Sequence, residues 1–323
     1  EDVESRLVAR AGKSWTFRRG PFRRRALPPL SRPGWTLLVQ GADLHHHAAH
    51  KLLARFRFVP QARLDDVMIS YASDGGGVGP HFDSYDVFLL QAQGQRRWRI
   101  GRQQDLSLLE GLPLKILAHF EAEEEYLLEP GDMLYLPPRY AHDGVAQGEC
   151  QTCSIGFRSP ARGELARELL ERLADDAQER AGDSIYRDAR QPATSEPGAV
   201  PPQLGEFARD ALQAALKDPL AVDRALGEYL SEPKPNVWFE SGSAGALGGV
   251  VLDRRSRMMY DRRHVFINGE SCLASGRDAA LLRKLADRGS LEARELAAAS
   301  DAARALVASW CEAGWVHAGE DRQ

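Results

Sequence analysis

Gly75-Gly76-Gly77-Val78-Gly79-Pro80-His81-Phe82-Asp83-Ser84-Tyr85-Asp86 is the stretch on which the fold turns. Side chains two apart on a β-strand share a face, so His81 and Asp83 can converge on one metal ion. A second imidazole, His142, follows Glu129–Pro138, which reads as a turn, a strand and another turn. That order delivers His142 to the rim of the same barrel. Two imidazoles and one carboxylate on one face leave three metal positions open, an arrangement suited to non-haem iron(II). His45, His46, His47 and His50 open a polar helix with no carboxylate at strand spacing, and read as surface histidines.

Outward from this stretch the chain falls into three regimes. Up to Phe157 it offers short runs rich in β-branched and aromatic residues: 35–39, 67–71, 87–90, 98–100, 133–136 and 153–157. Gly, Pro and Asp clusters separate them, as in a sandwich or barrel, and a helix over 42–56 interrupts. From Arg162 leucines recur at helical spacing (Leu165, Leu169, Leu170, Leu173, then Leu212, Leu216, Leu226), broken by the Pro-rich stretch 191–202. Beyond Gly242 two candidate strands, an Asn268-Gly269 turn and three short helices (278–286, 291–298, 301–311) suggest a winged-helix-like module. The expected organisation is a barrel domain over 1–158, a helical region over 159–241 and the winged-helix-like domain over 242–323. The chain opens on Glu1 rather than Met, so an upstream piece is expected to be missing.

Composition narrows the class. The 323 residues are 43% hydrophobic and 27% charged, with net charge −4, ordinary for a globular protein. No run is long and apolar enough for a membrane span, so no membrane partner is expected. Four cysteines do not make a disulfide framework in a chain this size. Cys150 and Cys153 read as small fillers on a strand, and a reducing cytoplasm is the expected compartment. Counting Lys+Arg against Asp+Glu gives 20 and 19 over 1–158, 10 and 16 over 159–244, and 12 and 11 over 245–323. Nothing in this balance favours DNA contact by the C-terminal module; packing against protein is the preferred reading. Arg18-Arg19 and Arg23-Arg24-Arg25 are a local exception, read first as solvated surface and second as a docking patch for something anionic.

The run Gly75–Phe88, then Gly94–Arg99, then Glu129–Pro138 resembles the JmjC-type bacterial ribosomal oxygenases of the cupin superfamily. Within them it looks most like the branch that hydroxylates an arginine of the sixteenth large-subunit ribosomal protein. The resemblance implies a double-stranded β-helix barrel, a helical dimerisation region and a C-terminal winged helix. It also implies Fe(II), with 2-oxoglutarate and O2 as cosubstrates, a large-subunit ribosomal protein as substrate, and a homodimer.

Arg96, fifteen residues after His81 where the wider JmjC family carries a basic residue, is the candidate for the 2-oxoglutarate tail carboxylate. Its planar fork can grip that group with two hydrogen bonds, whereas Arg97 and Arg99 have the opposite parity and should face out. Asp66, Met68 and Ser70 share one strand face. A carboxylate there is costly to bury without a cation, so a substrate guanidinium is a natural partner for Asp66. Ser70 is placed beside Arg96 at the cosubstrate, Ser154 at the substrate guanidinium, and Tyr85 on the wall of the substrate channel. Three alternatives stay open on the residues alone: hydroxylation of a ribosomal histidine, a cupin metalloenzyme of another kind, and a cupin-type sensor controlling a DNA-binding winged helix.

Overall fold

The computed structural model describes residues 3–12, 14–243 and 248–319. Contacts divide the chain into two compact units, Glu1–Ser159 and Pro160–Gln323.

The first unit is a nine-stranded sheet built from β1 (Ser5–Ala11), β2 (Ser14–Arg19), β3 (Trp35–Val39), β4 (Leu64–Ala72), β5 (His81–Phe82), β6 (Val87–Arg102), β7 (Glu124–Leu128), β8 (Met133–Leu136) and β9 (Tyr140–Phe157). Their order is β2-β1-β3-β4-β9-β6-β7, with β5 also paired to β9 and β8 to β6. Helices α1 (Ala42–His45) and α2 (His47–Ala54) cover one side. Leu53 and Phe56 pack there with Leu64, Val67, Ile155 and Phe157, and the Asp43 carboxylate accepts from the backbone of Val67 at 2.8 Å. Val67 thus faces this layer while its neighbours Asp66 and Met68 face the barrel interior, as strand parity requires. Deeper in the barrel Val87, Leu89, Trp98, Ile100, Leu128 and Leu136 form a second core. This is the double-stranded β-helix expected from the sequence.

Two sequence expectations change in extent. The runs 87–90 and 98–100 are one strand, β6, continuous across Gly94, whose φ of +61° accompanies register shifts opposite β9. Gly supplies a left-handed backbone without steric cost, so a bulge rather than a turn forms here. The hairpin β1–β2 was not foreseen, because its arginines mask the two-residue alternation. Cys150 and Cys153 are buried and free on β9.

The second unit opens with α3 (Arg162–Asp175), α4 (Ala177–Ala181), α5 (Pro202–Ala215) and α6 (Ala221–Ser231). Leu173, Ala221 and Ala225 pack together, whereas Leu170, Leu204, Leu212 and Leu216 remain exposed. Strands β10 (Gly249–Leu252), β11 (Met258–Tyr260), β12 (His264–Ile267) and β13 (Glu270–Leu273) follow, then α7 (Gly276–Arg288), β14 (Ser290–Leu291), α8 (Ala293–Ala297), α9 (Asp301–Glu312) and β15 (Val316–Gly319). Asn268 and Gly269 join β12 to β13 with φ of +50° and +90°, the pair of left-handed residues that a two-residue hairpin demands. Leu282, Leu285, Leu296, Val307 and Trp310 pack with Val250 and Val265 in a winged-helix core. No helix among the described residues is long and apolar enough to cross a membrane.

Candidate metal and cosubstrate site

The glycine run lays a second chain along β9 without side chains in the way. Gly75 donates to the Ala146 carbonyl at 3.0 Å and Ala146 donates to Gly76 at 2.9 Å. A Cβ on Gly77 would lie 2.5 Å from the Gly144 carbonyl oxygen, a separation that backbone alone can occupy. Two residues past Gly79 the chain becomes β5, where His81 sits directly opposite His142. The strand is only two residues long, so Asp83 stands just beyond it rather than inside it.

His81, Asp83 and His142 each offer a ligand atom, all within 4.8 Å of one another, the single such cluster among the described residues. His142 Nε2 and Asp83 Oδ2 are 3.7 Å apart. The Nδ1 atoms of both rings hydrogen-bond to backbone carbonyls two residues earlier, His81 to Gly79 at 2.9 Å and His142 to Tyr140 at 3.0 Å. A carbonyl only accepts, so each Nδ1 carries the proton and each Nε2 keeps its lone pair for a metal. Burial, with His81 second, pushes the His142 pKa down to about 3, which keeps that imidazole neutral. Burial also raises the Asp83 pKa, opposed by His81 and by a hydrogen bond from Tyr85. The donor set, the fixed tautomers and the mutual distances all fit a divalent cation with open positions.

The triad lines a cavity that is partly open to solvent and is walled by both polar and apolar side chains. Arg96 is buried in its wall, 5% exposed. Its Nη1 donates to Ser70 Oγ at 3.2 Å, while its Nε and Nη2 have no hydrogen-bond partner among the described residues. Buried guanidinium donors left unpaired are costly, and a carboxylate in the cavity would satisfy both. Arg97 and Arg99 instead point outward to Glu125 and Asp143.

Asp66 and Ser154 also line the cavity and are buried. Asp66 Oδ2 accepts from Gln40 Nε2 at 2.7 Å and from the Gly41 amide at 2.8 Å, two donors that fix how the carboxylate is turned. Tyr85 is 40% exposed as a residue, yet burial of its phenol and the nearby Asp83 raise its pKa. All eight candidate residues therefore meet at one cavity. Sequence reasoning missed Gln40 and the role of Trp98. The Trp98 ring lies between Arg96 and His142, 5.7 Å from the guanidinium carbon and 5.8 Å from the imidazole. Its buried indole N–H has no partner among the described residues. Its parity with Arg96 on β6 was the available signal.

Comparison with known proteins agrees with this architecture. Residues 51–165 match the JmjC domain family and residues 212–317 match the ROXA-like winged helix. The ribosomal protein uL16 3-hydroxylase of Escherichia coli K12 is 40% identical over 206 residues, which are 62% of this chain and 53% of that protein. The chain thus spans about half the length of that relative. The crystal structure of E. coli YcfD aligns with a TM-score of 0.85 and 30% identity over 98% of this chain and 87% of that one. A structure of YcfD, described as a ribosomal oxygenase in complex with cobalt and 2-oxoglutarate, gives 0.79 and 31% over 98% and 86%.

Proposed function

Because this chain belongs to the JmjC-type ribosomal oxygenases, we propose that it is an iron(II)- and 2-oxoglutarate-dependent hydroxylase of an arginine in a large-subunit ribosomal protein. The observation that carries the reading is buried Arg96, with two donors unpartnered among the described residues, lining the same cavity as a three-ligand metal cluster. A dicarboxylic oxo acid would answer both demands: Arg96 and Ser70 would hold its tail carboxylate, and its oxo-acid end would serve a metal held by His81, Asp83 and His142. Bound iron(II) would supply the oxidation, using dioxygen and the oxo acid to place one oxygen atom on a substrate carbon and release succinate and carbon dioxide.

The chain's own residues bind and orient. His81 and His142 present Nε2 because Gly79 and Tyr140 hold the Nδ1 protons. Tyr85 donates to Asp83 and holds that carboxylate in place. Asp66, aimed by Gln40 and Gly41, offers negative charge to a guanidinium, with Ser154 beside it in the cavity wall. No side chain is asked to move a proton, so no nucleophile–base pair is needed. Exposed Leu170 on α3, Leu204 and Leu212 on α5 and Leu216 just past it support a homodimer through the helical region, with the ribosomal substrate placing the enzyme in the cytoplasm.

Mass spectrometry of ribosomal proteins from cells with and without the gene tests the substrate. The expected difference is a gain of one oxygen on an arginine of a large-subunit protein. The same gain on a histidine would replace the arginine assignment while keeping the oxygenase. No gain anywhere, together with no succinate formed from 2-oxoglutarate by the pure protein, would refute the reading. Light scattering of the wild type and of Leu212→Glu tests the dimer, which the charge should break.

A further inference from the structure

Between Ser5 and Gly34 the chain carries nine Lys or Arg residues and no Asp or Glu. Elsewhere in the same unit exposed arginines find carboxylates: Arg63 has Asp86, Arg97 has Glu125, Arg99 has Asp143 and Arg102 has Glu123. Arg10, Arg18, Arg19, Arg23, Arg24 and Arg25 are exposed and have no carboxylate partner among the described residues. Arg10 and Arg18 reach only backbone carbonyls, of Gly12 and Ala26. Three of these guanidinium groups lie over half-buried rings, Arg10 over Trp15 at 5.2 Å, Arg18 over Phe22 at 5.4 Å and Arg19 over Phe17 at 5.9 Å.

A charged sheet edge would account for part of this, since β2 is the last strand of its sheet and lysine or arginine there blocks pairing between molecules. It does not account for Arg23, Arg24 and Arg25, which lie past the strand in and beside a single 3-10 turn, Arg24–Ala26. Nor does the surface suit a basic substrate segment, which it would repel. Clustered guanidinium groups that neutralise phosphates, interleaved with rings on which bases stack, are the two components of single-strand nucleic-acid grip. We propose that the β1–β2 hairpin and the turn after it bind single-stranded RNA. The surface also reaches the metal-binding loop, because the Trp15 ring lies against Gly79, whose carbonyl holds His81. RNA seated there lies next to the segment that carries His81 and Asp83, so a protein substrate attached to RNA is held near the cavity.

This goes beyond the hydroxylase reading and is measured without it. The full chain is titrated into a fluorescein-labelled 12-nucleotide single-stranded RNA, following anisotropy from 0.05 to 0.3 M KCl. Binding should weaken linearly in log[KCl]. Each single-strand phosphate contact contributes about 0.7 to that slope. The triple variant Arg23→Ala/Arg24→Ala/Arg25→Ala should therefore lose about 2 from the slope and bind about fiftyfold more weakly at 0.15 M KCl. The corresponding triple lysine variant should keep most of the slope. All three proteins should produce succinate with a short peptide substrate at equal rates. The proposal is overturned by no RNA binding at 0.05 M KCl, or by an unchanged slope in the alanine variant. It is equally overturned if polyglutamate of matched charge displaces the RNA, which would assign the face to an acidic protein, or if the alanine variant loses peptide turnover.

Discussion

Arg96→Met separates a cosubstrate anchor from a packing residue, because the two roles predict opposite signs. Methionine keeps much of the length and removes the charge. In the protein without cosubstrate, two buried guanidinium donors lack a partner among the described residues, and each unsatisfied buried donor costs about 1–3 kcal/mol. The bond to Ser70 is lost on substitution and methionine fills the guanidinium's space less well, which offsets part of that gain. The expected net gain for the variant is therefore small, about 1 kcal/mol, or roughly 2–4 °C in Tm for a unit of this size. With ligand the order reverses. Wild type at a hundredfold excess over Kd gains about 2.7 kcal/mol, whereas the variant forfeits two charge-assisted hydrogen bonds of about 1.5–3 kcal/mol each. Its Kd for 2-oxoglutarate should rise at least a hundredfold and its ligand-induced shift should vanish. Differential scanning calorimetry with cobalt(II), with and without 2-oxoglutarate, reads both quantities. A variant that melts below wild type without ligand and keeps its full shift with ligand would remove Arg96 from the cosubstrate site.

Three further predictions follow from the geometry. Asp83→Ala should abolish cobalt(II) binding by isothermal titration and all succinate formation, since two imidazoles alone remain; retained stoichiometric binding would refute the triad. Gly144→Ala should cost about 1–3 kcal/mol through overpacking, because its Cβ would meet the Trp98 ring at 2.6 Å; the double variant with Trp98→Leu should recover much of that, and strictly additive melting shifts would argue against the clash. In the winged-helix unit Asp253 accepts from Arg255 and from His317 at 2.7 Å, and although burial opposes it, its pKa is lowered by these donors. The stabilisation is then present above the unfolded carboxyl value of about 3.9 and lost as pH falls through the lower folded value. Asp253→Asn should destabilise that unit by about 2 kcal/mol at pH 7 and flatten its acid limb, and an unaltered acid melting curve would count against the network.

The site was more legible than the scaffold that carries it. His81 and Asp83 were visible because strand spacing and a glycine-rich approach are local patterns. Arg96 came from the resemblance, which places a basic residue there, and alternation along one strand set it apart from Arg97 and Arg99. His142 needed only the turn–strand–turn before it. What the chain hid depends on contacts distant in sequence. The continuity of β6 through Gly94 follows from its pairing with β9, not from local propensity. Gln40 reaches Asp66 across the β3–α1 connection, which no spacing rule encodes. The β1–β2 hairpin was hidden for a different reason: arginine occupies positions on both faces, so hydrophobic alternation is absent where backbone pairing is nevertheless complete.

The brevity of β5 has a consequence for how the protein acquires its metal. Two residues of pairing hold His81 and Phe82 to β9, while β6 and β9 match along almost their whole lengths. A bound ion would therefore tie His81 and Asp83 to His142 locally, while the β6–β9 pairing holds the barrel without it. Chelators should leave the barrel standing, with amide exchange quickening around His81 to Asp86 while Gly75 and Gly76 stay paired to Ala146. A protein built this way can complete its barrel before it takes up a cation.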